Sequence, residues 1–338
     1  MSQKTFALLA WILVLGAILI VVVLVSLSLG SVNIPLGRIV EVIFQRKGSV
    51  EHSIIFDLRM SRILLGFAVG SSLGLSGVIL QGMFRNPLVE PYTLGISGGA
   101  ALGVCLNIVL GVSKIGGGLS LPLSGFLGAL GVILMVYFLS ARKTFRIQGL
   151  LLTGVMISFI ASSLIMLIMA VSRVEELQGI IFWIMGSLEE SNWFLIITML
   201  LVSLAGLLAA YLFCFDLNAL ALGEEEARHL GINVERTKRM LFILASLLTG
   251  CSVSVAGIIG FVGLAIPYFI RLLTGIDYRF LLIGSFLAGG AFLILCDTLA
   301  RTVISPLEFP VGVITGIIGG SVFVYFLHTG PQQLFRKT

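Results

Sequence analysis

The sequence predicts an all-α membrane protein with about ten transmembrane helices. Of its 338 residues, 58% are hydrophobic and only 11% are charged, and the mean hydropathy is +1.14. The apolar residues also occur in blocks long enough to cross a bilayer, which takes about 20 residues in a helix. This composition excludes a soluble domain and predicts that residues 1–338 form a single polytopic membrane domain.

Ten apolar blocks follow one another along the chain. The first begins just after Lys4 and continues without a small-residue cleavage pattern, which favours a retained helix over a cleaved signal peptide. The eighth is the shortest and follows a break at Gly260 and Gly263. The blocks are 6–29, 62–84, 92–111, 118–140, 148–171, 192–213, 238–258, 264–274, 279–299 and 308–328.

An even number of helices places both termini on the same side of the membrane. When that side is the cytoplasm, most of the 21 Lys and Arg residues fall in inner segments. The positive-inside rule therefore predicts cytoplasmic termini, and it also places the polar segment 217–231 in the cytoplasm. The formal net charge of +5 follows the membrane in this way and does not indicate a nucleic-acid partner.

The segment 217–231, LNALALGEEEARHLG, separates two long apolar blocks. It predicts two short helices, the first capped by Asn218 and ended by Gly223 in the left-handed conformation. Glu224 begins the second helix, whose acidic first turn suits the helix dipole, and Gly231 ends it. A charge run is usually a solvated turn, but this much local structure favours a partner-binding segment. Three apolar residues remain on its charged surface: Leu220, Ala227 and Leu230.

Several kinds of chemistry have no support in the sequence. The four cysteines and three histidines are scattered, so neither a disulfide frame nor a metal site is predicted. The chain has no GxxxxGK[ST] phosphate loop and no HExxH pair, so we predict a protein that is not an enzyme and binds no nucleotide itself. No block carries a central ionisable residue, which argues against two alternatives, an ion- or proton-coupled secondary transporter and a permease for free metal ions.

The second block carries Gly66, Gly70 and Gly74 at four-residue spacing. Small residues on one face of a helix let two backbones approach closely in lipid. Helix packing is therefore the interpretation of these glycines.

Five stretches together resemble one known family. Residues 82–100 read GMFRNPLVEPYTLGISGGA, and residues 183–188 read WIMGSL. Further on, residues 260–267 read GFVGLAIP, residues 297–301 read DTLAR, and residues 306–312 read PLEFPVG. In this order they resemble the signatures of permease subunits in iron–siderophore, haem and cobalamin ABC importers.

The resemblance implies a role for residues 217–231, which match the family's LGxxxAxxLG segment and which we call the coupling segment. In the family this segment docks in a cleft of the cytoplasmic ATPase. Short capped helices with a few apolar points also suit a modest, reversible interface. The implied contact residues are Leu220, Gly223, Glu224, Ala227, Leu230 and Gly231.

The resemblance also implies a docking surface on the outer side. Residues 57–62, DLRMSR, are similar to the family's RLPR start of the second helix, and Arg59 and Arg62 match its two arginines. Arg301 matches the arginine of DxxAR. In the family these arginines receive carboxylates of a substrate-binding protein, to which guanidinium groups bind in bidentate geometry. One alternative is anchoring at lipid headgroups. For Arg301 two carboxylates are near enough in sequence to pair with it instead: Asp297 and Glu308.

Arg85, Asn86 and Pro87 follow the second block on the cytoplasmic side. An Asn-Pro pair favours a turn, and Pro91 closes the loop before the next helix. These residues are predicted to form a rigid elbow near the inner gate.

The resemblance implies the membrane-spanning subunit of a binding-protein-dependent ABC importer in a bacterial or archaeal cytoplasmic membrane. Its implied partners are a second copy of itself, a cytoplasmic ATPase dimer and an extracytoplasmic substrate-binding protein. ATP and Mg are expected in the ATPase, and no cofactor is expected on this chain. The implied cargo is a siderophore-bound iron, haem or corrinoid. Tyr268 stands where the family has His and Ser321 where it has Pro, which leaves the cargo open.

Overall fold

The computed structural model describes residues 3–30, 32–44, 50–141, 147–305 and 307–329, and these form a bundle of helices. A π-helical turn, Ile54–Met60, precedes the central helix, and short 3₁₀ turns occupy Pro91–Leu94 and Gly117–Leu119. The α-helices are α1 (Gln3–Ser28), α2 (Leu36–Phe44), α3 (Val50–Ser53), α4 (Ser61–Phe84), α5 (Ile96–Val109), α6 (Val112–Ile115), α7 (Ser120–Ala141), α8 (Ile147–Val171), α9 (Val174–Met185), α10 (Trp193–Leu212), α11 (Cys214–Leu222), α12 (Glu224–His229), α13 (Val234–Ala256), α14 (Val262–Thr274), α15 (Tyr278–Thr302) and α16 (Val311–Thr329).

Each of the ten predicted blocks contains one helix of the described chain. Seven helical segments are long and apolar enough to cross a membrane, and the shorter apolar helices α5, α14 and α16 account for the other three blocks. The short eighth block is α14, which has 13 residues. The predicted fold class, an all-α polytopic membrane protein, is confirmed.

Apart from the four-residue α3 and α6 and the helices α11 and α12 of the predicted coupling region, two helices of the described chain fall between the predicted blocks. The amphipathic α2 follows α1, and α9 lies between α8 and α10. Glu176 accepts from the backbone N–H of Arg173, which caps the start of α9. Because α9 has only 12 residues and begins with two glutamates, hydropathy alone does not reveal it.

Helix α4 is the central element of the bundle. In its most apolar window 89% of the residues are buried, against 17% for α1. Helices α10, α13, α14 and α15 all pack against it. These neighbours come close because glycines face one another: a Cβ on Gly70 would lie 2.3 Å from the carbonyl oxygen of Gly289, and one on Gly77 would lie 1.9 Å from that of Gly263. The packing role predicted for the glycine spacing is confirmed.

The two departures from the family pattern lie on neighbouring helices. Tyr268 of α14 is buried, and its ring meets that of Phe323 of α16 edge to face at 5.4 Å. Ser321 is exposed on α16. Tyr268 is therefore a packing position, as predicted, whereas the Ser321 side chain points away from the core.

The predicted outer and inner residues separate to opposite ends of the bundle. At one end, which we call the outer end, Arg59, Arg62 and Arg301 line a common cavity. At the other, the inner end, Arg85 and the coupling segment lie together. Helix α4 joins the two ends, and its 24 residues span about 36 Å. Parts of the predicted charge pattern and of the 306–312 motif lie outside the described residues: Arg46, Lys47, Arg142, Lys143, Arg146, Pro306, Arg336 and Lys337.

Candidate functional site

The coupling segment contains two short helices, as predicted, but their boundaries differ from the prediction. Helix α11 begins at Cys214, so Asn218 lies inside it and does not cap it. Gly223 ends α11 with φ 145° and ψ 157°, which is an extended conformation with positive φ and not the left-handed helical one. Three glutamates occupy the first turn of α12, and Gly231 follows it with φ 85°. Only glycine adopts the Gly223 geometry without strain, so this position fixes the angle between the two helices.

Side-chain hydrogen bonds fasten the coupling segment to the membrane helices. The hydroxyl of Thr237 on α13 donates to Asp216 of α11 at 2.9 Å. Asn218 accepts from the backbone N–H of Tyr278 at 3.1 Å, which fastens α11 to the start of α15. In α12, Glu224 accepts from the Lys238 ammonium at 2.5 Å. The segment is therefore held on α13 at two points and on α15 at one.

Burial corrects the predicted surface of the segment. Leu220 and Ala227 are 1% and 0% exposed, so they pack against the rest of the chain and are not apolar points on the surface. The short helices have one inward face each, and the sequence alone does not show which residues it contains. Leu230 is 55% exposed, as predicted, and Leu222, which sequence reasoning missed, is 68% exposed. The exposed face thus offers two leucines beside the charged residues of α12.

The anchoring residue Lys238 was also missed. Its side chain is only 4% exposed, whereas that of its partner Glu224 is 41% exposed. In the sequence, Lys238 is one of many positive charges on the predicted inner side, and nothing distinguishes it as an anchor. A buried charge is costly unless it is paired, so this ion pair is a structural requirement of the site.

The Glu224 contact makes the segment sensitive to acid. The hydrogen bond from Lys238 lowers the pKa of Glu224, and Arg228 and Arg85 lower it further. A carboxyl group whose pKa is lowered on folding stabilises the fold above its unfolded pKa of about 4.3 and loses that contribution as the pH falls through the folded value. We expect the α12 amides to exchange faster with deuterium at pH 3.5 than at pH 5.5, after correction for intrinsic rates. In Glu224→Gln this difference should be absent, and an equal difference in both proteins would contradict the assignment.

The elbow at Arg85, Asn86 and Pro87 is a tight turn at the inner end of α4. Arg85 ends α4 in the left-handed conformation with φ 49°. The Asn86 side chain then accepts from the backbone N–H of Leu88 at 2.9 Å, which is the local bond expected of an Asn-Pro turn.

The chain after the elbow holds the break between α13 and α14. The Tyr92 hydroxyl donates to the carbonyl of Ile259 at 2.9 Å and accepts from its N–H at 3.1 Å. Glu90 accepts from the N–H of Phe261 at 2.8 Å. Backbone groups between two membrane helices need partners within the protein, and these two side chains supply them.

Six residues form what we call the outer charge cluster: Arg59, Arg62, Glu189, Asp297, Arg301 and Glu308. All but Asp297 line a cavity of about 360 Å³ at the outer end. Arg59 is 3% exposed, and its guanidinium donates to the carbonyls of Leu27, Ser28 and Val32. Leu27 and Ser28 are the last residues of α1, where carbonyls lack donors within the helix, so Arg59 caps that helix. With 3% of the residue exposed, Arg59 offers a docking protein little accessible surface.

Arg301 and Arg62 differ in how far they remain accessible. Arg301 is 6% exposed and donates to Asp297 at 2.9 Å and to Ser26 at 3.0 Å. Its predicted alternative partner Asp297 is thus the one it uses. Arg62 instead contacts Glu308 at 2.8 Å and Glu189 at 3.1 Å. These two carboxylates are the exposed members of the cluster. Arg62 is thus the arginine whose ion-pair partners lie at the surface.

Replacing Arg59 with methionine should destabilise the protein by about 2–3 kcal/mol, because the carbonyls at the end of α1 lose a charged donor. Thermal unfolding in detergent measures this change. Arg38→Met is the matched control, since Arg38 is 44% exposed on α2 and pairs only with surface glutamates. Equal stability of the two variants would contradict the capping role of Arg59.

Most of the sequence matches one known protein family. Residues 18–329 match the model of the FecCD transport family. The chain belongs to this family. The described residues contain no group of three or more His, Cys, Asp or Glu side chains that could hold a metal ion.

Individual relatives extend the FecCD match over nearly the full length. The haemin transport system permease protein HmuU of Yersinia pestis is 37% identical, over 95% of this chain and 97% of the relative. The cobalamin import system permease protein BtuC of Halobacterium salinarum is 40% identical, over 81% of this chain and 73% of the relative. A solved structure of a metal-chelate type ABC transporter, in an inward-facing conformation, has 32% identity and a TM-score of 0.84, and covers 94% of this chain and 98% of its own.

Proposed function

We propose that this chain is the membrane-spanning subunit of a binding-protein-dependent ABC importer for a metal chelate, haem or corrinoid. Family membership and the named cargo of the relatives support the class. The structural observation that carries the proposal is the coupling segment, which is fastened to α13 and α15 and exposes Leu222 and Leu230 on its other face. A solvated turn needs no buried anchor, whereas a segment that transmits force does.

The proposed mechanism divides the work among subunits. Two copies of this chain enclose the pathway at their common axis, and two ATPase subunits bind the coupling segments from the cytoplasm. ATP and Mg act in the ATPase, and no cofactor acts on this chain. Both termini are cytoplasmic, as the distribution of Lys and Arg indicates. When the ATPase subunits move, α12 moves α13 through the Glu224–Lys238 pair, and the gates of the pathway change with it. The elbow at Arg85, Asn86 and Pro87 lies beside the inner gate.

The binding protein is proposed to dock on the outer charge cluster through Arg62. Arg59 and Arg301 form their hydrogen bonds within the protein, and their role is to support the docking surface structurally. An incoming carboxylate replaces Glu189 or Glu308 on the Arg62 guanidinium. The exchange is feasible because the side chains of Glu189 and Glu308 are 74% and 46% exposed and lose little when they return to water.

Replacing Arg62 with glutamine should weaken docking of the substrate-binding protein by about tenfold, because a charge-assisted contact is lost. Biolayer interferometry on reconstituted protein measures the affinity. Arg38→Gln is the control, since Arg38 does not line the outer cavity. If Glu189→Gln with Glu308→Gln weakens docking while Arg62→Gln does not, the partner instead presents basic groups to an acidic rim.

Reconstituted uptake tests the proposed function directly. The chain is assembled in proteoliposomes with its ATPase, and uptake of labelled ferric siderophores, haem and cobalamin is measured with and without ATP and binding protein. Uptake that needs both supports the importer and identifies its cargo. Uptake without ATP would establish a secondary transporter and reject the proposal. Molybdate, a small oxyanion, is tested as a further cargo, because the molybdate import system permease protein MolB of Haemophilus influenzae is 34% identical over 94% of this chain.

A further inference from the structure

A second cavity lies at the inner end of the bundle, beside the coupling segment. It measures about 300 Å³ and lies between the end of α4, the end of α11, α14 and the start of α15. The proposed transport mechanism assigns it no role. Its polar lining consists of Gln81, Arg85, Arg271, Tyr268 and Tyr278, and its apolar lining includes Leu222 and Ile276.

Two positive charges line this cavity, and no carboxylate does. Arg85 is exposed at its mouth, and Arg271 is only partly exposed on the last turn of α14. Among the described residues neither arginine forms an ion pair. The nearby acids are engaged elsewhere, with Glu224 on Lys238 and Asp277 on Arg279. The cavity is therefore electropositive.

The contacts of Arg271 leave part of its donor set without a protein partner in the described chain. Its Nη2 donates to the side-chain oxygen of Gln81 at 3.2 Å, while its Nε is buried and has no partner in the described chain. Gln81 cannot turn to offer more, because its amide nitrogen donates to the carbonyls of Gly263 and Leu264 at 3.3 Å. Buried guanidinium donors that lack a counterion are costly, so the arrangement calls for an anionic ligand.

The rest of the lining limits what that anion can be. The Tyr278 ring fits against the inner end of α4 only because residue 82 is glycine, since a Cβ there would lie 2.7 Å from the hydroxyl oxygen. Leu222 and Ile276 are 68% and 55% exposed beside the cavity. Two arginines together with exposed apolar side chains in the same lining match a phosphate that carries acyl chains, and basic pockets at the cytoplasmic face of membrane proteins bind such headgroups.

We propose that the inner cavity, which we call the inner anion site, binds the phosphate of an anionic phospholipid, with Arg271 and Arg85 as its ligands. The occupant pairs with Arg271 where that side chain lines the cavity, and it lies against Leu222 of α11. A lipid bound there joins α14 to the coupling segment through its own headgroup. The site is separate from the outer charge cluster, and it shares Leu222 with the exposed surface proposed to meet the ATPase.

Native mass spectrometry of the purified full chain tests this proposal. Dihexanoyl-phosphatidylglycerol is the probe, and dihexanoyl-phosphatidylcholine is the zwitterionic reference. Inorganic phosphate is the anion without acyl chains. We expect the wild type to retain phosphatidylglycerol over phosphatidylcholine, and Arg271→Gln and Arg85→Gln each to reduce its occupancy by at least about fivefold. Arg279→Gln is the matched control, because Arg279 is a 61% exposed arginine near the same end that does not line the cavity.

Several results would overturn the proposal. Equal retention of the two lipids, or an equal loss in Arg279→Gln, would mean that no specific headgroup site exists. Displacement of phosphatidylglycerol by millimolar phosphate would identify a free anion as the ligand. If the ATPase subunit displaces the lipid and Arg271→Gln weakens assembly, the ligand is a carboxylate of that partner. Arg85→Gln keeps the test decisive if Arg271→Gln does not fold, because Arg85 is exposed at the mouth.

Discussion

Replacing Lys238 with methionine is expected to reduce ATP-driven uptake by about five- to 150-fold while leaving the protein folded. The change removes the anchor between α12 and α13, so ATPase movements no longer reach the membrane helix. Stability should fall by less than about 1 kcal/mol, because the remaining Glu224 side chain is 41% exposed and water solvates it. Transport and ATPase rates in proteoliposomes, together with thermal unfolding, measure both effects.

The partner replacement separates anchoring from stability. Glu224→Leu also removes the anchor, but it leaves the ammonium of Lys238 buried with its side chain 4% exposed, which should cost about 3 kcal/mol or more. Both variants should therefore lose transport, and only Glu224→Leu should lose stability. Lys114→Met, at an exposed lysine in the short helix α6, is the control. Normal transport by Lys238→Met would show that the pair does not couple the subunits.

Replacing Gly77 with valine is expected to prevent folding. A Cβ at this position would lie 1.9 Å from the carbonyl oxygen of Gly263, and that oxygen belongs to the backbone of α14. The clash can be relieved only by moving one helix away from another, which should cost more than about 3 kcal/mol. Folded protein recovered after size-exclusion chromatography in detergent measures the outcome.

Gly131→Val is the matched control for Gly77. Gly131 lies in the middle of α7, and nothing would stand within 4 Å of an added Cβ. The same substitution there should leave the yield of folded protein near the wild-type level. If Gly77→Val is recovered as well as Gly131→Val, α14 does not lie against α4 in the way described.

Hydropathy predicted the helical fold because it depends on long runs of similar residues. Each of the ten blocks contains a helix, and even the 13-residue α14 is marked by the glycines before it. The predicted separation of Arg59 and Arg85 to opposite ends also holds. Both results depend on length and order along the chain, which the sequence displays directly.

The sequence could not predict which partner each charged or apolar side chain would find. Arg59 lies in a π-helical turn, and its carbonyl partners lie about 30 residues earlier, at the end of α1. One signal was present, since a helix that ends at Ser28 leaves carbonyls needing donors. Leu220 and Ala227 belong to helices of nine and six residues, too short for a periodic pattern to show which face is buried.

Helix α13 is attached to other parts of the chain at both of its ends, and it links the inner end of the bundle to the outer end. Its first turn holds the coupling segment through Lys238, and its last residue, Ala256, accepts from the N–H of Ser187 at 2.9 Å. Two residues further on, Glu189 reaches Arg62. In the proposed mechanism, α13 passes a displacement of α12, along 23 residues or about 34 Å, to the turn that carries the exposed acid of the outer charge cluster. Binding at one face is then coupled to binding at the other without any change in the secondary structure between them.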